Sequence, residues 1–345
     1  MTDETAKAMR RVKVTVHDVA RLANVSIATV SRALNTPQAV RPEVRARVEK
    51  AAETLGYHAN SFGKGLRQQR GMLVGTLVPR LSDPLFSLVA SGVQETLAEN
   101  GYLGFLQPIG YDNRALYQPA RQIIERGAEG LIVFGKIEDE RLIDYCQRLN
   151  FPLLTVYSWS ADAVVPSIGF DNYEAASQLV DLMLQLGHRG MAMIAGPQGG
   201  NDRQQDRIRA FRDRAGAAGI EPLVEEIDMA IELPDGKAAI SRILDRHPEV
   251  TAVLCNRDAL AFSAMAELRR RNISVPGQIS LTGFDDLEYS ALLDPPLTSV
   301  SVPAAEMGRH AATAMIQLLE NGRPLQSVRF QTEVVLRRST APPAR

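Results

Sequence analysis

One arginine stands alone in the stretch Ser26–Asn35, SIATVSRALN. Arg32 offers a planar fork of N–H donors, the geometry that reads guanine O6 and N7 in a major groove with about 1–3 kcal/mol of base discrimination. About one turn earlier, Ile27 and Ala28 are apolar but fall on the solvent side of a helical pattern, which suits contact with thymine methyl groups. Ser26, Thr29, Ser31 and Asn35 carry short polar groups of the kind that hold phosphate oxygens and set register without reading sequence. Each serves equally well as a helix cap or a solvated side chain. Charge points the same way. Residues 1–70 hold 13 Lys and Arg against 6 Asp and Glu, and the remainder holds 26 against 34, so a net charge of -1 hides a basic head on an acidic body. A basic head of this kind meets a polyanion.

Three helices are needed to present these side chains. The first is expected from about Val16 to Ala23, with Thr15 as N-cap and Asp18 three residues on, an acidic variant of the capping box. Val16, Val19, Ala20 and Ala23 recur at helical spacing as its buried face. The turn Ala-Asn-Val-Ser leads to a second helix, Ile27 to Leu34, capped by Ser26 and facing inward through Val30, Ala33 and Leu34. Pro42 starts a third, which runs to about Leu55 and stops at Gly56. Two short helices joined by a tight turn form a helix-turn-helix, whose second helix enters the major groove. Residues 1–13 are then a flexible N-terminus, 14–59 a DNA-binding domain and 60–71 a hinge or linker.

From residue 72 the pattern changes. Strand-like runs such as MLVGTLV, GLIVFG, PLLTVY, GMAMIAG and AVLCN alternate with helical patterns near 85–100, 113–127, 139–149, 172–187, 203–218, 236–246 and 258–271. Alternation of this kind predicts parallel, doubly wound α/β sheets, here in two lobes with a cleft outside the carboxyl ends of the strands. Aromatic residues that follow strands, Phe86, Tyr157 and the sole tryptophan, Trp159, are candidates to wall that cleft, with packing an equal alternative for Trp159. No catalytic constellation is present: GPQGG lacks the ending of a phosphate loop, and the five histidines show no metal-ligand spacing. The chain is therefore not expected to be an enzyme, and no cofactor or metal is implied. Cys146 and Cys255 suggest no disulfide framework, no apolar run is long enough for a membrane span, and the N-terminus has no secretory signal, so a bacterial cytoplasmic location is expected.

The segment VTVHDVARLANVSIATVSRALN, followed by RARVEKAAETLGY, resembles the head of the lactose-repressor/galactose-repressor (LacI/GalR) family of bacterial transcription regulators. DPLF, ERGAEGLIVFG, IGFDN, LGHRGMAMIAGP, RIRAFRD, NRDALAFSAM, VPGQISLTGFDD and PPLTSV continue the resemblance in order through the chain. The resemblance implies a helix-turn-helix head on a body like the periplasmic sugar-binding proteins. One lobe is expected at about 72–168 and 302–326, the other at about 169–298 and 327–340. Ile27, Ala28 and Arg32 match base-reading positions. Leu66 matches a hinge leucine that wedges into the minor groove, which requires paired hinges and thus a homodimer on a near-palindromic operator.

The hinge departs from the family pattern at Ala59 and at Gly63-Lys64-Gly65. Each glycine costs a helix about 1 kcal/mol relative to alanine. In the body, Arg207 matches an arginine that grips ligand oxygens, and Asp258 an aspartate that accepts sugar hydroxyls, although a helix N-terminal role fits Asp258 as well. Asn201 and Arg203 lie in the loop leading to the Arg207 helix, and Arg203 and Arg257 suit an acidic ligand. The implied function is a repressor of carbohydrate or sugar-acid catabolic genes, released from its operator, and so from the nucleoid, by a small sugar-like effector. The rival reading is a corepressor such as a purine. No leucine heptad follows the body, so a dimer is expected.

Overall fold

The computed structural model describes residues 14–57, 71–228 and 236–344. Leu66 and the hinge it belongs to lie outside the described residues.

The head contains α1 (Val16–Ala23), α2 (Ile27–Asn35) and α3 (Pro42–Leu55), with a 3-10 turn at Pro37–Ala39. At the start of α1 the Thr15 N–H and hydroxyl both donate to Asp18 Oδ2, at 3.0 and 2.7 Å. Asn24 ends α1 in the left-handed region with φ 51°, which asparagine tolerates. Ser26 Oγ then accepts from Thr29 N at 3.1 Å and opens α2. Arg41, before α3, makes no side-chain cap; Pro42 starts that helix and Gly56, at φ 63°, stops it. Val19, Ala20, Ala23, Val30, Ala33, Val48, Ala51 and Ala52 form the buried core. These small side chains let three short helices pack closely.

The body is built on two parallel sheets. The first comprises β1 (Leu73–Val78), β2 (Leu103–Pro108), β3 (Gly130–Phe134), β4 (Leu153–Ser158), β5 (Ser167–Phe170) and β11 (Val328–Arg329), in the order β11-β5-β4-β3-β1-β2. The second comprises β6 (Met191–Ala195), β7 (Leu223–Glu226), β8 (Ala252–Cys255) and β9 (Ser280–Thr282), in the order β7-β6-β8-β9. A short antiparallel pair, β10 (Ser299–Ser301) with β12 (Glu333–Val335), lies where the chain passes between lobes. The connecting helices are α4 (Pro84–Glu99), α5 (Tyr117–Glu125), α6 (Glu140–Leu149), α7 (Asn172–Gln185), α8 (Asp202–Ala217), α9 (Gly236–Arg246), α10 (Asp258–Arg270) and α11 (Ala304–Asn321). Strands such as β3 and β6 are buried along their whole length, as parallel strands covered on both faces must be.

Helix α11 is absent from the helical patterns read in the sequence. Its buried face mixes the small residues Gly308, Ala311 and Ala312 with Met307, Met315 and Ile316. The reason lies in its partner: a Cβ at Gly308 would meet the Val89 carbonyl of α4, and one at Gly92 would meet the Ala305 carbonyl of α11. The two backbones pack at glycine distance. The C-terminal segment returns to the second lobe, where Leu281 N donates to the Ser339 carbonyl at 2.9 Å. His188 is buried beside it and bonds Thr251, Ser280 and the Ala341 carbonyl, a structural role. Among the described residues no helix is long and apolar enough to cross a membrane.

Candidate functional site

In the head, α2 turns Val30 and Ala33 into the core and leaves Ile27, Ala28 and Arg32 on its outer face, with Ile27 42% exposed. Ser26 and Thr29 are engaged with each other at 2.8 Å while Ser26 caps the helix, and Ser31 is half-buried. The side chain of Asn35 lies outside the described part of the structure.

In the body, side chains from both lobes converge where strands end, the place expected for a ligand in open α/β sheets. The first lobe supplies Asp83 and Phe86 at the start of α4, Tyr111 after β2, Phe134 at the end of β3 and Tyr157 in β4. The second supplies Asn201, Arg203, Gln204 and Arg207 from the start of α8, Arg257 after β8, and Asp285 after β9.

Arg207 is the hub. Its Nε donates to Asn172 Oδ1 at 2.9 Å, one terminal nitrogen to the Asn256 carbonyl at 2.7 Å, and the other to Tyr157 Oη at 2.9 Å. Its guanidinium lies 3.5 Å from the Phe284 ring centroid. Tyr157 Oη in turn donates to Asp285 Oδ1 at 3.3 Å, and Arg207 stands 4.0 Å from the same oxygen.

Two further arginines close the site. Arg257 pairs with Asp83 across the lobes and donates to Tyr111 Oη at 3.1 Å. Arg203 donates to the Phe134 carbonyl at 3.4 Å and contacts Asp202 at 3.2 Å, while its Nη2 is buried with no partner among the described residues. Asn201 Oδ1 is likewise buried and unpartnered. Gly135 makes the approach of Arg203 possible: at φ 79°, it sits where a Cβ would strike the guanidinium. Phe86 packs edge-on against Phe134 and Tyr157 at 5.7 and 5.8 Å, giving the cleft an aromatic wall. The space left is about 20 Å³, room for a single water.

Arg207 and Arg257 act on the buried Asp285 carboxyl, while Arg203 is held by Asp202 and Arg257 also pairs with Asp83. Burial pushes Asp285 up to about 7, against the pull of Arg207. It also raises Tyr157 well above a free phenol and pulls the Arg257 guanidinium below its ordinary value. Tyr157 and Asp285 both have positive φ, 85° and 116°. Such backbone strain in a tyrosine and an aspartate that bond each other is retained only where surrounding structure holds it, as at binding sites.

Two sequence expectations are corrected here. Asp258 does not face the cleft. It is 0% exposed, and its carboxylate accepts from Leu287 N at 2.7 Å, Ser290 Oγ at 2.6 Å and Ser299 Oγ at 2.6 Å. Leu287 and Ser290 lie between β9 and β10 and Ser299 opens β10, so Asp258 clamps that crossover, and Asp285 is the acid that meets Arg207. Burial pushes Asp258 up to about 6, partly offset by those hydrogen bonds. Asp258→Ala is therefore expected to cost about 3 kcal/mol of stability by orphaning buried donors, with ligand affinity retained. Denaturant unfolding paired with calorimetry tests this, and loss of ligand binding at unchanged stability would reverse the assignment.

Trp159 is also displaced from the expected set. It lines a separate cavity, with the Arg329 guanidinium 4.8 Å from its ring. Asp285 stood in the motif VPGQISLTGFDD, where paired acids directly after a strand were the available signal. Tyr111 and Gln204 left no signal in the sequence.

Residues 15–60 match the family described as bacterial regulatory proteins, lacI family, and residues 180–340 match a periplasmic binding protein-like domain. The transcriptional repressor CytR of Escherichia coli K12 is 30% identical over 331 residues, which cover 94% of this chain and 96% of that protein. The chain belongs to the lacI family of bacterial regulatory proteins. The transcriptional regulator GalR of the same organism is 31% identical over 342 residues, 96% of each chain. A crystal structure of the lac repressor dimer superposes with a TM-score of 0.80 at 25% identity, covering 95% of this chain and 99% of that one. As a lacI-family protein the chain is a ligand-responsive, DNA-binding transcriptional repressor, and its relatives are regulators rather than enzymes.

Proposed function

We propose that this repressor controls carbohydrate or sugar-acid catabolic genes and leaves a near-palindromic operator when a small acidic, sugar-like inducer enters the interlobe cleft. The observation that carries the reading is that three buried arginines, Arg203, Arg207 and Arg257, line one cleft with Asp285, and that Arg203 Nη2 has no partner among the described residues. Guanidiniums bind a carboxylate through paired hydrogen bonds, and Asp285 with Tyr157 and Asn201 is suited to hydroxyl groups. Ile27, Ala28 and Arg32 read bases, and Ser26, Thr29, Ser31 and Asn35 face the phosphates. Leu66 is assigned to the minor groove from the sequence.

A thermal-shift panel of sugars, sugar acids, sugar phosphates and purines tests the ligand class, because a ligand that binds only the folded state raises the unfolding temperature. Sugar acids are expected to score. A panel in which only purines score favours corepression. Affinity for the acid is expected to fall as pH rises through about 7, since ionised Asp285 then repels the bound carboxylate. Calorimetry at pH 6 and pH 8 reads this directly, and a flat profile would remove Asp285 from the contact.

The protein acts as a homodimer in this reading. Leu103 and Phe105 on the edge strand β2, with Leu88 of α4, expose apolar side chains that an edge strand does not normally leave in water. Light scattering is expected to report twice the chain mass, and a monomer at micromolar concentration would exclude the paired-hinge mechanism.

A further inference from the structure

Beside the cleft lies a second cavity of about 740 Å³, within the size range of small-molecule sites. Its walls come from both lobes: Lys136 after β3, the β4–β5 loop with Trp159, and a face of α8 formed by Asp202, Gln205, Asp206 and Arg209. That face points away from the one bearing Arg203 and Arg207, since residues three and four apart share a helix side. Two hydroxyls in the wall have nothing to bond. Ser158, 9% exposed, and Ser167, 2% exposed, both have Oγ buried with no partner among the described residues. Buried polar atoms are nearly always paired, so two orphans lining one cavity mark groups that await a partner.

We propose that this cavity is a second effector site, taking a neutral polyhydroxylated molecule of the sugar class. Four carboxylates, Asp162, Asp171, Asp202 and Asp206, line it against Lys136 and Arg209. That balance repels the anions that the arginine-rich cleft attracts. Each carboxylate already holds an internal partner and keeps acceptor capacity for hydroxyl groups: Asp206 pairs with Arg209 at 2.7 Å, Asp202 with Arg203 at 3.2 Å, Asp171 caps α7 by accepting from Glu174 N at 2.9 Å, and Asp162 accepts from Ser160. Burial raises the Asp206 carboxyl, which further weakens the case for a cationic ligand. Trp159 supplies the flat apolar surface on which a sugar ring stacks. The Asp202–Arg203 contact joins the two sites through the first turn of α8, so occupancy of one is felt at the other.

Trp159 is the sole tryptophan of the chain, so its emission reports on this cavity. Glucose, galactose, ribose and cellobiose are titrated against the full chain while that emission is followed. At least one is expected to give a saturable change. Ser158→Ala with Ser167→Ala is expected to weaken that binding about tenfold at unchanged or higher unfolding temperature, since the hydroxyls removed are unpaired in the free protein. Arg257→Gln, which strikes the cleft alone, is expected to leave it in place. Loss of the signal in Arg257→Gln but not in the double serine variant would place the sugar in the cleft and overturn the proposal. No change with any of the four sugars would overturn it as well.

Discussion

Arg207→Ala is expected to lower the unfolding temperature of the body by on the order of 10 °C and to abolish the thermal shift given by the acidic ligand. The guanidinium joins Asn172, Asn256 and Tyr157 and lies over Phe284. Removing it leaves the buried Asp285 carboxyl and the Tyr157 hydroxyl without their cationic partner, and breaking one member of a buried charged set costs about 3–5 kcal/mol. The loss depends on Asp285, so Asp285→Asn in the same chain should recover part of it, and additive effects of the two changes would show that they do not interact. The pH dependence has a definite sign. Burial raises Asp285 to about 7, so folding favours its protonated form. That contribution is complete below about pH 4, the ordinary aspartate range, and is lost as pH rises through about 7. The deficit of Arg207→Ala relative to the parent should therefore widen between pH 6 and pH 8, when the carboxylate must ionise without its arginine.

Arg32→Ala should weaken operator binding by about 1–3 kcal/mol, roughly 5- to 150-fold, with no change in unfolding temperature. Arg32 is exposed on the outer face of α2, opposite the residues that pack the head, so stability and recognition separate at this position. The pattern of loss is as informative as its size. A base reader relaxes discrimination at one base pair in each half-site. A phosphate contact weakens all sequences alike and lowers the salt dependence of binding by about one ion. Competition against operator variants, repeated at two salt concentrations, tells the two apart.

The head was legible because local rules govern it. Thr15 with Asp18, Ser26, Pro42 and Gly56 mark helix ends through contacts made within a few residues, and the structure places the ends within one residue of the expected positions. The body's alternation of strand and helix was legible for the same reason. The cleft was only half legible. Arg207 sits where the sequence puts it, at the start of a long helix after a strand, and Phe86 and Tyr157 stand with it. Asp258 and Asp285 both follow strands in acidic motifs, and nothing local separates them. What separates them is which donors the crossover folds back: Leu287, Ser290 and Ser299 saturate Asp258, while positive φ turns Asp285 toward Arg207. Trp159 was misplaced for a related reason. Alternation along an extended strand would put Trp159 on the same side as Tyr157, but β4 ends at Ser158, and the loop beyond carries Trp159 to the neighbouring cavity.

In the proposed mechanism a ligand held by Arg207 and Asp285 controls the hold of the head on DNA. The most direct measurement is fluorescence anisotropy of a labelled operator duplex, recovered by selection from random sequence, titrated with the full chain in the presence and absence of the sugar acid that scores in the thermal-shift panel. The acid is expected to weaken operator binding by about 5- to 150-fold, and operator to weaken acid binding by the same factor, as linkage requires. Saturation of the protein by the acid with operator affinity unchanged, or tightened, would contradict it.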